Sequence, residues 1–319
     1  MPLKFAVTFI ATLASTTVFA ADLYPTRPIR MIVGFAPGGG TDLTARPVAQ
    51  KMSELMGQQV VVENKPGAAG NIATEQVARA VPDGYTILMG TIAALAINPS
   101  LYGSLNFDPE TDLAPVIQVV DATNVLTLHP SVRAGSVQEL IALAKQKSLS
   151  AGSSGIGATG HLSIELFNLM AGTKLVHVPY KGGGPAMGDL VGGQIDLIFA
   201  TTASAIPQIK AGRVKGIAVT TIKRSALMPE LPTISEAGLT GFDANNWYGI
   251  VVPAKTPRAI IDQLNAEVTK VLAMPDLQAT LFKQGLDPAG GTPEQFGAYI
   301  KAERTKWARV IKESGAKAE

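Results

Sequence analysis

Ile29-Arg30-Met31-Ile32-Val33-Gly34-Phe35-Ala36-Pro37-Gly38-Gly39-Gly40-Thr41-Asp42 is an apolar run broken by a proline and consecutive glycines. Ile29 to Phe35 reads as a buried strand, and Pro37-Gly38-Gly39-Gly40 ends it. Thr41 to Met56 follows with helical spacing, placing Leu43, Val48, Met52, Leu55 and Met56 on roughly one face. The stretch therefore reads as strand, glycine turn, helix. Pro47 falls inside that helix, where it removes a backbone bond and clashes one turn back. Either the helix kinks there, or its regular part starts nearer Arg46.

The same grammar extends in both directions. Val60 to Glu63 reads as a second strand. Ile72, Val77 and Val81 lie on a helix that ends before the turn Pro82-Asp83-Gly84, and Tyr85 to Met89 is a third strand. Such alternation implies parallel pairing through crossover helices. Strands are expected again at Val125–Leu128, Leu149–Ala151, Leu175–Val178, Asp196–Phe199 and Lys215–Val219. Helices are expected near Val137–Gln146, His161–Met170, Pro185–Val191 and Ala205–Ala211. After Trp247–Val252 the chain turns mainly helical. Pro257 reads as a first-turn proline of a helix running to Ala273, with further helices over Leu277–Gln284 and Pro293–Glu313. The fold class is α/β, with two lobes, each a mainly parallel sheet flanked by helices. Val116–Asn124 and Asn246–Val252 are the apolar strands that pass between lobes.

Composition narrows the function. Met1 to Ala20 has Lys4 as its only charge, an apolar or small-residue stretch from Phe5 to Phe19, and Val18-Phe19-Ala20 at its end. That is the pattern of a cleavable secretory signal; the alternative, a membrane anchor, needs about 20 spanning residues and a stop-transfer flank. Cleavage after Ala20 would remove one Lys and no acid, leaving 26 basic against 25 acidic residues. A near-neutral chain lacks the basic excess of a nucleic-acid protein. Cys is absent, so the fold rests on burial and not on disulfides.

Glycine-rich segments sit at strand-to-helix junctions, the edge of a parallel sheet where ligands usually bind. Gly38-Gly39-Gly40-Thr41-Asp42 permits close backbone approach and aims the unpaired N–H groups of a helix N-terminus at an anion. It also reads as a tight turn with Asp42 as a cap. It matches neither GxxxxGK[ST] nor GxGxxG, which argues against a nucleotide phosphate site. Gly152-Ser153-Ser154-Gly155-Ile156-Gly157-Ala158-Thr159-Gly160-His161 repeats the arrangement, with His161 as a loop-ordering residue. Tyr180-Lys181-Gly182-Gly183-Gly184-Pro185 and Ala200-Thr201-Thr202-Ala203-Ser204 form a third group, in which Lys181 reads as a solvated charge. Trp247 and Tyr248 either wall a cleft or pack in the core.

No catalytic constellation emerges. No serine lies in GxSxG, and no His–acid pairing follows from spacing. With His129, His161 and His177 as the only histidines, no metal site of usual spacing is present. No cofactor is expected. What remains are neutral donors converging on an anion.

The motifs in series resemble those of Bug-type receptors, the solute-binding proteins of tripartite tricarboxylate transporters. They are Tyr24-Pro25-Thr26-Arg27-Pro28-Ile29-Arg30 with Gly34 to Asp42, Val62 to Gly70, Pro82-Asp83-Gly84-Tyr85-Thr86, Asn98-Pro99, Val178 to Gly182, and Leu231-Pro232-Thr233. The resemblance spans nearly the whole chain after Ala20. It implies a type II periplasmic-binding-protein fold, with residues 21–121 and 248–319 as one lobe and 122–247 as the other. It implies a periplasmic, monomeric receptor that is not an enzyme, with a small carboxylate as ligand and membrane transporter subunits as partners. By resemblance, Gly38, Gly39, Gly40, Thr41 and Asp42 grip one carboxylate together with Ser153, Ser154, Gly155, Gly157 and Thr159. Thr91, Tyr180, Thr201, Thr202 and Tyr248 are candidates for the far end. A stand-alone sensor serving a signalling protein, or an exported α/β hydrolase using a loop serine, remain as alternatives at this point.

Overall fold

The computed structural model describes residues 24–180 and 182–318. The expected export segment and Lys181 lie outside the described residues. The first sheet draws on β1 (Ile29–Val33), β2 (Val60–Asn64), β3 (Thr86–Thr91), β4 (Leu113–Ala122), β10 (Asn246–Pro253) and β11 (Leu286–Gly290). Its order is β11-β4-β10-β3-β1-β2. The second sheet has β5 (Asn124–Leu128), β6 (Ser150–Ser153), β7 (Val176–Pro179), β8 (Leu197–Thr201) and β9 (Lys215–Val219), in the order β7-β6-β8-β5-β9. The chain is thus a two-lobed α/β protein.

Both sheets are mixed where mainly parallel ones were expected. β1 pairs parallel with β2 and β3, and β6 parallel with β7 and β8. β10 runs antiparallel to β3 and β4, and β5 antiparallel to β8 and β9. The reason lies in the passages. β4 leaves the first sheet at its carboxyl edge, and after Thr123 alone the chain enters the second sheet as β5. A strand entering at the edge where its neighbours end must run against them. β10 returns to the first sheet in the same way. Both passages therefore lie at the carboxyl edges, which brings the two ligand-binding edges together.

Helices cover both faces of the first sheet. On one side, α1 (Gly40–Met56) and α8 (Arg258–Leu272) pack Ala45, Val48, Met52, Leu264 and Val268 on Met31, Val33, Ile250 and Val252. On the other, α2 (Asn71–Ala78) and α10 (Pro293–Ser314) join a core that continues into α5 (Thr159–Ala171) and the second sheet, through Trp307, Phe167, Phe199 and Phe242. The C-terminal helix α10 touches both lobes. A Cβ on Gly249 would overlap the Phe296 ring, so the glycine lets α10 lie on β10. In the second lobe, α6 (Gly183–Val191) and α7 (Thr202–Lys210) close the remaining face with Met187, Leu190 and Ala205. The helix α4 (Val137–Gln146) has the expected bounds.

Several expectations need correction. The buried stripe of α1 is Ala45, Val48, Ala49 and Met52, while Leu43 and Leu55 are exposed. In α2 only Val77 of the expected residues is buried; Ile72 and Val81 face out, and the helix ends at Ala78. Helix α1 runs unbroken through Pro47. The bond that Pro47 lacks would have gone to Leu43, on the exposed side, where water can meet the carbonyl. Pro257 precedes the first helical residue of α8 and serves as its cap position. Several short elements were not anticipated. A π-helical turn, Ala93–Ile97, leads into α3 (Asn98–Leu101). β11 is an edge strand of sequence Leu-Asp-Pro-Ala-Gly, a place where Pro288 costs no ladder bond. The last helix before it is α9 (Pro275–Lys283). Among the described residues, no helix is long and apolar enough to cross a membrane.

Candidate functional site

The first loop starts where β1 ends. Gly38 holds φ +79°, a conformation that favours glycine. Gly39 precedes the first helical residue of α1, and no side chain caps that end. The leading N–H groups of α1 therefore remain available to a ligand. Asp42, 2% exposed, is the fastener of this loop. Its carboxylate accepts from the Gly38 N–H at 2.9 Å, from Asn64 Nδ2 at 2.9 Å and from Arg46 Nε at 2.9 Å. Asn64 Nδ2 also donates to the Phe35 carbonyl at 3.0 Å. Burial pushes the Asp42 carboxyl up, but Arg46, the Gly38 N–H and Asn64 outweigh it and hold the group below its ordinary value. With its oxygens so engaged, Asp42 shapes the loop and does not repel an anion there as a free charge would. Asp42→Ala would leave the Gly38 N–H unpaired and take one of two acceptors from Asn64 Nδ2, and should cost about 2 kcal/mol in urea denaturation. An unchanged midpoint would remove this role.

Tyr248 and Thr91 are directly opposite across β10 and β3, so their side chains share the α1 face. The Tyr248 hydroxyl accepts from Asn246 Nδ2 at 3.3 Å and lies 2.8 Å from where a Cβ on Gly40 would stand. Only a glycine lets α1 begin against that ring. Burial raises the Tyr248 phenol, opposed by hydrogen bonds from Thr41 and Asn246, so it stays a neutral donor. Thr91 is buried, and its hydroxyl has no hydrogen-bond partner.

The second loop is built on histidines. Gly155 and Gly157 have φ +134° and +80°. The Gly157 N–H donates to His161 Nδ1 at 3.2 Å, so His161 orders the loop as the sequence suggested. Ser153 Oγ lies 2.6 Å from His177 Nε2, accepts from the Gly155 N–H at 3.1 Å, and is therefore turned inward. The rings of His161 and His177 stack at 4.1 Å. Burial, and for His161 also the neighbouring His177, depresses both to about 4, so both are neutral at neutral pH. Ser154 is exposed. Ala158 precedes α5 without a side-chain cap, so this helix also offers free N–H groups, beginning near Thr159.

The second loop meets the first lobe at α3 and the turn before α2. A Cβ on Gly157 would stand 3.0 Å from Leu101 and 3.2 Å from Asn98 Oδ1, with Ala69 behind. Thr202 Oγ1 donates to the Gly285 carbonyl at 2.8 Å and ties α7 to the first lobe. That hydroxyl is thus engaged in lobe-to-lobe contact. Thr201 Oγ1 pairs with Ser204 Oγ at 3.1 Å at the carboxyl end of β8. Tyr180 adjoins the second loop through its backbone, its N–H donating to the Ser153 carbonyl at 3.0 Å, but its hydroxyl donates to Asp189 at 2.7 Å, on the α6 side. Trp247 packs edge-on against Phe296 in the core. A surface recess of about 430 Å³ beside Arg46, Gln50, Ser53 and Val62 lies on the flank between α1 and β2, away from these edges.

Sequence reading missed several contributors. Arg46 and Asn64 support the first loop, His177 supports the second, and Asn98, Asn124 and Asn246 stand at the junction. Asn64 and Asn98 lie within the motifs quoted above, which was the available signal. His177 carried none, because its partner His161 lies on another element.

The arrangement suits binding more than bond cleavage. Ser153 is only 3% exposed and its oxygen is held within its loop. Among the described residues, no acid hydrogen-bonds His177, and no group of three or more His, Asp or Glu is placed to hold a metal ion.

The sequence profile of the family described as "TctC: Tripartite tricarboxylate transporter family receptor" matches residues 44–316. The chain is 38% identical over 305 residues to the "UPF0065 protein in tcbD-tcbE intergenic region" of Pseudomonas sp. (strain P51), covering 95% of this chain and 90% of that protein. It is 36% identical to "Protein BugT" of Bordetella pertussis (strain Tohama I), covering 97% and 96%. Among solved structures, "R. palustris Rpa4515 with adipate" superposes with a TM-score of 0.85 at 38% identity, covering 92% of this chain and 98% of that one. "MatC (Rpa3494) from Rhodopseudomonas palustris with bound malate" gives 0.81 at 29% identity, covering 90% and 100%. This chain belongs to the tripartite tricarboxylate transporter receptor family, and it is accordingly an extracytoplasmic solute-binding receptor for carboxylates and not an enzyme.

Proposed function

We propose that the chain captures one small carboxylate between the loops Gly38–Asp42 and Ser153–Thr159, and that the closed form engages membrane subunits of a transporter. One observation carries this reading. Two helices, α1 and α5, start at glycine-rich loops without side-chain caps, on carboxyl edges brought together by the chain's passages between sheets. Helix N-termini and backbone N–H groups then replace water around the anion, with no fixed cation needed. Gly38, Gly39, Gly40, Thr41, Ser154, Gly155, Gly157 and Thr159 supply the grip, while Asp42 and Ser153 hold the loops in shape. Thr91 and Tyr248 border it from the first lobe and Thr201 from the second.

The lobes in this reading are residues 21–121 with 248–319, and 122–247. They close as rigid units about the two passages. The receptor acts as a monomer in the periplasm after removal of Met1 to Ala20. The adipate and malate held by the relatives support the ligand class. A thermal-shift screen over mono-, di- and tricarboxylates, aromatic acids and amino acids tests it, because a ligand that binds only the folded state raises the midpoint. A specific carboxylate should raise it by several degrees. Silence across all carboxylates would sink the reading.

A further inference from the structure

Asn124 is the first residue of β5, immediately past the passage from the first sheet. It is 1% exposed, and neither Nδ2 nor Oδ1 has a hydrogen-bond partner. Directly opposite stands Thr201, so the two side chains share one face of the second sheet. That face also carries Leu126 and Phe199, which belong to the core that α5 joins. α5 begins over Phe199: a Cβ on Gly160 would stand 3.3 Å from the Phe199 carbonyl. Asn124 and Thr201 lie one rung beyond, past the start of α5, on the edge where the second loop presents its N–H groups. Thr91 holds the corresponding position in the first lobe, at the end of β3 beside the start of α1, also buried and also unpartnered.

A buried amide left without partners is costly, and a partner must restore both its donor and its acceptor. A carboxylate offers acceptors only and would leave Asn124 Oδ1 unpaired. An ammonium group would need a free acid, but Asp42 is engaged with Arg46 and Asn64, and Glu303, the other buried acid among the described residues, is engaged with Trp307 and Lys306. Among the described residues no lysine or arginine is buried, so no cation marks a second carboxylate. A hydroxyl both donates and accepts.

We propose that Asn124, assisted by Thr91, is the specificity-determining residue for the far end of the ligand, and that this end carries an uncharged hydroxyl. The ligand class is then a hydroxycarboxylate, gripped by its carboxylate in the loops and read by its hydroxyl at Asn124. This rests on the receptor reading above and goes one step further.

Isothermal titration of the full chain with matched sets decides it: butyrate against 4-hydroxybutyrate, benzoate against para-hydroxybenzoate, hexanoate against its omega-hydroxy derivative and adipate. In at least one set the hydroxylated member should bind about tenfold more tightly or better than its deoxy partner, as expected when a buried polar group loses its match. Asn124→Leu should remove that gap, and Thr91→Val should narrow it. The wild-type comparison needs no variant, so it stands even if Asn124→Leu does not fold. Preference for the deoxy acid or for adipate overturns the proposal, as does a gap that persists in Asn124→Leu. Binding of carboxylates without a hydroxyl preference overturns this proposal alone. No carboxylate binding at all overturns the receptor reading, and this proposal with it.

Discussion

Gly39→Glu and Ser154→Glu should each abolish carboxylate binding while leaving the chain folded. Gly39 lies at φ −77° and ψ 165°, a backbone conformation open to any residue. A Cβ there would meet only the Ala36 carbonyl, at an ordinary 3.4 Å. Ser154 is exposed. Neither substitution strains the native state, so an effect on binding reports the site itself. A carboxylate placed about 4 Å from the ligand's own costs roughly 4 kcal/mol at an effective dielectric of 20. That corresponds to about a thousandfold in affinity. The glutamate stem can swing partly toward water, so a loss of about a hundredfold is the lower bound. The neutral Gly39→Gln and Ser154→Gln should lose far less, because they add bulk without charge. Calorimetry showing wild-type affinity in both glutamate variants would end the two-loop account.

The stacked histidines give the second large effect, on stability against pH. His161 and His177 titrate near 4 in the fold, below the ordinary value of 6.5. The unfolded chain therefore takes up protons first as pH falls. Stability from neutral burial is fully present above 6.5 and is lost progressively toward 4. Each histidine contributes on the order of 3 kcal/mol over that window. Protonated His161 can no longer accept from the Gly157 N–H, so the second loop loosens together with the fold.

Neighbouring acids act with the opposite sign. Burial raises Glu165, whose Oε1 lies 3.6 Å from His161 Nε2. Asp121 is pushed up to about 6 by burial and by Asp287 and Asp243, against hydrogen bonds from Asn245 and Gln118. Such carboxyls take up protons more readily folded than unfolded, so they add stability as pH falls. The net curve is therefore shallower than the histidines alone would give, and the informative quantity is a difference. Urea midpoints of wild type and His177→Gln should differ by a constant amount above pH 6.5 and converge toward pH 4. Parallel curves would show that the pair carries no such linkage.

Much of this was legible in the chain because strand–turn–helix alternation writes itself in apolar spacing and glycine. The Gly38–Asp42 and Ser153–Thr159 loops stood out for that reason. What failed to show depends on neighbours distant in sequence. Leu43 and Ile72 satisfy helical spacing, yet the buried stripes run through small residues, Ala45 with Ala49 and Ala73, because the helices sit close to their sheet. β11 has no strand composition and exists only because β4 offers it an edge. Asp42 looked like a ligand contact or a cap. Its engagement with Arg46 and Asn64 became visible only once β2 lay beside α1. Tyr180 was flagged for its place after β7, but the direction of its hydroxyl is set by Asp189, nine residues away on α6.

The placement of β10 between β3 and β4 has a consequence for the order of events during synthesis. A ribosome releases the chain N-terminus first, so β1 to β4 emerge long before β10. Until residues 246–253 arrive, β3 and β4 have an unfilled slot between them, with exposed ladder groups and apolar faces. All strands of the second sheet, by contrast, lie in the uninterrupted stretch 124–219 and can pair before the first sheet is complete. The nascent chain therefore passes through a stage with one finished sheet and one split sheet. At that stage a chaperone holding residues 29–122 would protect the surface most prone to pair wrongly.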